Sequence, residues 1–379
     1  MIVHRKTVRF DELKLDCGET LREVECAYEA YGKLNEDRSN AILVLHAFSG
    51  DAHAAGVSDI DGRPGWWENM IGPGKAFDTD LYCVMCSNVL GGCGGTTGPS
   101  STNPDTGEPY GSSFPEITIA DMVRLQKKLT DALGIRKLVS AVGGSMGGMQ
   151  ALQWAVSYPE ACASVMPIAT TARHSAQQIA FNEVGRQAIV ADAGFQGGDY
   201  YGTDGPARGL AVARMVGHIT YMSDESMREK FGRRRRRSEA GEAPAGETGG
   251  IFEVESYLRY RGGQFVSRFD ANSYIAITKA MDTFDLAGEH QTLGEVFDPC
   301  GGRFLVFSFT SDWLYPSYQS EVIVRALRGR NKEVAYVELP SNYGHDAFLV
   351  EAGEQTELVR GFLAKTYERV LETTSSSIA

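Results

Sequence analysis

Gly143-Gly144-Ser145-Met146-Gly147 sets a serine between glycines two residues away on either side, the G-x-S-x-G spacing. An apolar run precedes the motif and an apolar stretch at helical spacing follows it, so the serine falls on a strand-to-helix turn. So sharp a turn forces the serine backbone into a strained conformation and tolerates only small neighbours. The hydroxyl is raised above the sheet at a helix N-terminus, where free N–H groups favour negative charge. Ser145 is therefore expected to act as a nucleophile that attacks an acyl carbonyl.

Such a serine needs a base, and the base needs an orienting carboxylate. On a strand–turn–helix nucleophile the acid and then the histidine come later in the chain, each on a loop after a later strand. Of seven histidines, only His290 and His345 lie late. His345 follows an apolar strand-like run at 333–339, where the base belongs. His290 lies in a helical stretch and precedes a strand, as a surface or packing histidine would. The run 304–309 leads into Thr310-Ser311-Asp312, which makes Asp312 the acid; Asp298, before that run, is at the wrong end of the sheet. The oxyanion of a tetrahedral intermediate needs two donors. One is the backbone N–H of Met146. The other belongs to the loop His46-Ala47-Phe48-Ser49-Gly50 after an early strand, with Phe48 N–H as the candidate. His46 and His53 precede the serine, against the expected order.

The elements that must hold these groups alternate. Apolar strand-like runs at 24–31, 41–45, 81–86, 137–142 and 164–168 are separated by helical patterns, including 119–133 and 149–156. This is the logic of a mostly parallel sheet with helices on both faces. Between 171 and 299 strand signals vanish and helical segments follow one another, at 175–190, 209–221, 254–266 and 271–281. Strand signals return at 303–307 and 333–339. The expectation is an α/β-hydrolase fold: a core of residues 1–170 and 300–379, interrupted by a helical insertion at 171–299. The chemistry is acyl transfer through Ser145. At this point the acceptor, water or another nucleophile, stays open.

Composition narrows the partners. Against 49 Asp and Glu stand 37 Lys and Arg, a net charge of −12. This is a poor field for nucleic acid or an anionic membrane. No window approaches the roughly 20 apolar residues of a membrane span, and the start lacks an apolar signal-peptide core, so a soluble cytoplasmic protein is expected. Seven scattered cysteines argue for reduced thiols rather than a disulfide framework. Cys83 and Cys86 form C-x-x-C inside an apolar run with Cys93 further on, but no fourth ligand follows, so they read as core packing and no metal is expected. Five arginines at 233–237 and the Glu/Gly/Ala/Pro stretch after them read as a solvated loop through 250 rather than a phosphate patch. The tail from Thr373 is expected to fray.

Several segments carry a family likeness. Asn88-Val89-Leu90-Gly91-Gly92-Cys93-Gly94-Gly95-Thr96-Thr97-Gly98-Pro99-Ser100-Ser101 resembles a signature of the homoserine O-acyltransferases of the MetX type. So do Tyr110-Gly111, Phe114-Pro115, Thr118-Ile119-Ala120-Asp121-Met122-Val123, Leu45-His46-Ala47-Phe48-Ser49-Gly50-Asp51-Ala52-His53, Gly209-Leu210-Ala211-Val212-Ala213-Arg214, Thr220-Tyr221, Lys230-Phe231-Gly232, Ser311-Asp312-Trp313 and Gly344-His345-Asp346. The family usually has leucine at the position of Phe48, which leaves the backbone donor intact. The resemblance implies a helical lid, a homodimer built through the lid helices, and a ping-pong cycle. Acyl-CoA acylates the serine and L-homoserine then accepts the acyl group; no cofactor is bound. It also implies that Arg214 binds the homoserine carboxylate and Asp346 its ammonium.

Acetyl and succinyl donors both occur in the family. A succinyl carboxylate in the acyl pocket needs a cation beside it. Succinyl-using relatives resemble one another in carrying arginine just after the tryptophan of the acid loop, where this chain has Leu314. Leucine suits a methyl group, so acetyl-CoA is the expected donor. Arg173 and Arg208, in the insertion, could overturn this by reaching the pocket. The alternatives are a homoserine O-succinyltransferase, a serine O-acyltransferase, or an esterase-type serine hydrolase.

Overall fold

The computed structural model describes residues 2–235 and 252–376. Eight strands form the central sheet: β1 (Lys6–Lys14), β2 (Thr20–Tyr31), β3 (Ala41–Leu45), β4 (Cys83–Ser87), β5 (Ser140–Gly144), β6 (Ser164–Ile168), β7 (Arg303–Phe309) and β8 (Val334–Leu339). Their spatial order is β8-β7-β6-β5-β3-β4-β2-β1. The pairings β1–β2 and β2–β4 are antiparallel and every other one is parallel. β3, β4, β5 and β6 are buried at every residue, as their unbroken apolar runs require. Alternate residues feed two cores: Leu43 and Ala141 on one face, Val44 and Val142 on the other.

Helices α1 (Ile119–Ala132), α2 (Met146–Ser157), α8 (Ser317–Gly329), α9 (Ala347–Val350) and α10 (Ala352–Ser376) accompany this sheet. Thr118 and Asp121 close a capping box at the start of α1. Between β6 and β7 come α3 (Ala176–Val190), α4 (Ala207–Tyr221), α5 (Asp224–Lys230), α6 (Glu253–Val266) and α7 (Ala271–Asp282).

Two expectations need correction, and one strand lies outside them. β5 starts later than 137 and runs through Gly143 and Gly144, because parallel pairing with β3 and β6 outweighs the loss of side-chain packing at two glycines. The N-terminal strand β1 carries no strong apolar run and owes its place to its long hairpin with β2. The segment expected to fray from Thr373 is helical through Ser376. Of the arginine run, Arg233 stacks on Phe252 and Arg234 pairs with Glu253 at 2.8 Å. The remainder of the loop expected at 233–250 lies outside the described residues from 236 onward.

Candidate active site

Ser145 stands between β5 and α2 at φ 59°, ψ −125°, a conformation costly for a residue with a Cβ. Its backbone is over-determined. Its N–H donates to Ile168 at 2.9 Å and its carbonyl accepts from Thr170 Oγ1 at 2.7 Å. The glycines are required by contact as well as by strain: a Cβ on Gly143 would lie 2.5 Å from the Leu45 carbonyl oxygen, and one on Gly147 only 2.0 Å from it. The serine side chain is almost buried at the floor of a small cavity of about 40 Å³.

Asp312, on the loop after β7, accepts from His345 Nδ1 at 2.7 Å through one carboxylate oxygen. Its other oxygen accepts from the N–H groups of Leu314 (3.0 Å) and Tyr315 (2.8 Å). The carboxylate is thus fixed with a single direction left for the imidazole. Asp298 lies at the opposite end of β7 and pairs with Arg330 at 3.3 Å. His345 follows β8 and is buried among aromatic rings. Tyr315 stacks on it at 4.9 Å, Phe348 meets it edge-on at 5.5 Å, and Tyr221 from the insertion lies 6.0 Å away. Gly344 lets the insertion close over this loop, since at φ 69° its missing side chain leaves room for the backbone of Tyr221, Met222 and Ser223. Trp313 Nε1 donates to the Met222 carbonyl and Ser223 Oγ to that of Asn342, so one insertion corner ties the acid and base loops together.

The other histidines hold structure. Buried His46 has its basicity lowered by burial; Nδ1–H donates to Ala47 O at 2.8 Å and Nε2 accepts from Val89 N–H at 3.1 Å. That pair shapes the loop carrying Phe48 and ties it to residues 88–101, which buttress it from outside: Asn88 Oδ1 accepts from Ala52 N–H at 3.0 Å. His53 is tied to Glu29 at 2.8 Å, and His290 is exposed in the insertion. Phe48 and Ser145 line the same cavity. Met146 opens α2, where N–H groups lack helical acceptors.

Arg214 on α4 lies over the rings of Phe265 (4.8 Å) and Tyr221 (5.5 Å) and donates to Ser49 Oγ at 3.0 Å. Asp346 follows the base. Burial pushes its carboxyl above the usual carboxylate range, and His345 and then Arg214 pull it back. The two form no direct ion pair among the described residues.

Leu314 lines the cavity beside Ser145, and neither lysine nor arginine does so among the described residues. Arg173 is turned outward to Asp285 at 3.1 Å, and Arg208 is exposed on α4. Cys83 and Cys86 are buried residues of β4, their thiols pushed up by burial.

Reading for motifs misses a further chain of residues. Tyr315 lines the same cavity as Ser145, and its hydroxyl meets His174 Nε2 at 3.0 Å. His174 Nδ1 lies 3.1 Å from Asp282, which Asn182 and Arg186 also hold, each at 2.7 Å. Only the position of Tyr315, three residues past the acid, could have signalled it.

Residues 40–352 match the family model described as the alpha/beta hydrolase fold. The chain is 56% identical over 357 residues to a homoserine O-acetyltransferase of Methanohalobium evestigatum, covering 94% of this chain and 72% of that protein. It is 53% identical over 371 residues to the homoserine O-acetyltransferase of Deferribacter desulfuricans, covering 97% of each. Among solved structures, the homoserine O-acetyltransferase from Bacillus anthracis superposes with a TM-score of 0.88 at 30% identity, over 96% of this chain and 98% of that one. Esterase E22 superposes with a TM-score of 0.85 at 31% identity, over 95% of this chain and all of the other.

Proposed function

Since the chain belongs to the homoserine O-acetyltransferase family of the α/β-hydrolase fold, an acyltransferase that passes acetyl from acetyl-CoA to the hydroxyl of L-homoserine for methionine synthesis, we propose that it works by a ping-pong cycle through acetyl-Ser145. His345, oriented by Asp312, takes the proton of Ser145 as the oxygen attacks the thioester carbonyl. The oxyanion is met by the backbone N–H groups of Met146 and Phe48. CoA leaves with a proton from His345. Homoserine then binds with its carboxylate on Arg214 and its ammonium on Asp346 and loses its hydroxyl proton to His345 as it attacks the acetyl group; the acyl–serine bond breaks and His345 returns the proton to Ser145 Oγ.

The observation that carries this reading is the buried Asp312–His345 pair at 2.7 Å, whose imidazole stacks on Tyr315, a residue lining the same cavity as Ser145 on its strained turn. The likeness to esterase E22 shows that the scaffold alone does not choose the acceptor. What favours homoserine is a cation and an anion, Arg214 and Asp346, that form no ion pair among the described residues and feel each other's charge near the base. Helices α3–α7 act as the lid. Exposed Val184 and Val190 on α3 and Val212 and Ile219 on α4 suit a homodimer through the lid, checked by sedimentation equilibrium. Scattered reduced thiols suit the cytoplasm.

The test is thiol release from acetyl-CoA with and without L-homoserine. Release is expected to need homoserine beyond the first turnover, and acetyl-CoA alone should add one acetyl mass to the Ser145 peptide. Equal rates with and without the amino acid would make the protein a hydrolase. Ser145→Ala should abolish labelling, and Asp312→Asn should cost about the 10⁴ lost when a serine-protease triad acid is neutralised.

A further inference from the structure

Among the described residues, Arg186 and Arg228 on the lid helices and Arg234 between α5 and α6 pair with acids: Arg186 with Asp282, Arg228 with Glu225, Arg234 with Glu253. Among the same residues Lys230, Arg261 and Arg268 form no ion pair; Lys230 ends α5, Arg261 lies on α6 and Arg268 just beyond it. Lys230 Nζ lies 4.3 Å from the centre of the Tyr257 ring and the Arg261 guanidinium 5.4 Å from the same ring. Arg268 packs 5.1 Å from the Phe265 ring and donates to the Ser49 carbonyl at 2.9 Å. All three are exposed. Buried His218 lies among them. Burial and then the charges of Arg214, Arg261, Lys230 and Arg268 bring it down to about 3, so it is neutral and adds no charge of its own. The acids facing the group are few: Asp346 acts on Lys230, and Asp51, itself held by Arg63, acts on Arg268. In a chain of net charge −12, three cations around His218 that form no ion pair among the described residues mark a place for an anion.

We propose that Lys230, Arg261 and Arg268 bind the phosphates of the CoA donor. This deepens, and rests on, the reading that a CoA thioester acylates Ser145. The distance fits. Ring centres step from His345 to Tyr221 (6.0 Å), to His218 (6.3 Å) and to Tyr257 (5.6 Å), and Lys230 and Arg261 lie 4.3 and 5.4 Å from that last ring, so both cations are within about 23 Å of the base. A pantetheine arm spans roughly 16 Å when extended, on ordinary bond lengths. Its thiol end can reach Ser145 while its phosphates rest on α5 and α6. The planar guanidiniums suit bidentate phosphate contacts and Lys230 supplies a mobile point charge.

The experiment compares acetyl-CoA with S-acetylpantetheine, which carries the same thioester and arm without phosphates. It uses the full chain as wild type, Lys230→Gln, Arg261→Gln, the double variant and Lys230→Arg, at saturating homoserine. Each glutamine variant is expected to raise KM for acetyl-CoA about tenfold, the size of one lost charge-assisted hydrogen bond, and to move KM for S-acetylpantetheine less than twofold. Lys230→Arg should restore most of the loss. Adenosine 3′,5′-bisphosphate should compete with acetyl-CoA in the wild type and lose that ability in the double variant. Equal effects on both donors, or no effect on acetyl-CoA, would overturn the site. A wild type that releases no thiol from acetyl-CoA in response to homoserine would instead overturn the functional reading on which it rests.

Discussion

Tyr315 lies nearly parallel to His345, ring centres 4.9 Å apart and planes at 28°, while its hydroxyl meets His174 Nε2 at 3.0 Å. One residue thus bridges the proposed base and a second His–Asp pair, His174 and Asp282. Asp282, held ionised by its hydrogen bonds and Arg186 against the cost of burial, takes the Nδ1–H of His174. Nε2 is then an acceptor for the Tyr315 proton. This arrangement fixes the ring that supports the imidazole.

Tyr315→Phe keeps the stack and removes the link. It is expected to lower kcat about tenfold with little change in KM for homoserine. Asp282→Asn should do the same, and the pair should be markedly less than additive because both act through His174. Steady-state kinetics of the double-mutant cycle decides; full additivity would mean that the chain of contacts is not one unit.

Arg214→Ala should lower kcat/KM for homoserine about 100-fold, as loss of a charge-assisted carboxylate contact does. Acetylation of Ser145 should slow less than threefold, because acetyl-CoA does not need that contact. Separate measurement of the two half-reactions tests this, and equal damage to both would give Arg214 a structural role.

Asp346 carries a pH and a stability consequence together. Burial raises its carboxyl, so the folded protein binds that proton more tightly than the unfolded chain does. Stability is therefore lost as pH rises from the ordinary carboxylate value through the raised one, and the cost of a buried charge stays above it. Asp346→Asn is expected to raise Tm by a few degrees at neutral pH, less at acid pH, while abolishing productive homoserine binding. Thermal unfolding from pH 4 to 8 checks the sign; a lower Tm at neutral pH would mean that the carboxylate is stabilised in place.

Leu314→Arg introduces a cation into a cavity that neither lysine nor arginine lines among the described residues. The ratio of kcat/KM for succinyl-CoA to that for acetyl-CoA should rise at least tenfold. A wild-type preference for succinyl-CoA, or an unchanged ratio in the variant, would show that Leu314 does not set the acyl group.

The primary sequence determined what is local. G-x-S-x-G with its apolar flanks dictates a strand, a strained serine and a helix, because only glycines leave room against the Leu45 carbonyl. Unbroken apolar runs identify β3, β4 and β6 as strands covered on both faces, and the order of Ser145, Asp312 and His345 follows from parallel strands presenting loops at one end. Tertiary structure decided what depends on distant segments meeting. Strand order turned two glycines into the end of β5. The insertion corner at Tyr221–Ser223 came to rest on the acid and base loops through Gly344, Trp313 and Asn342. His174, Asp282 and Tyr315 were joined across 141 positions of chain. Such contacts leave no periodic trace, because each partner's residue type suits many surroundings and only packing selects the one it has.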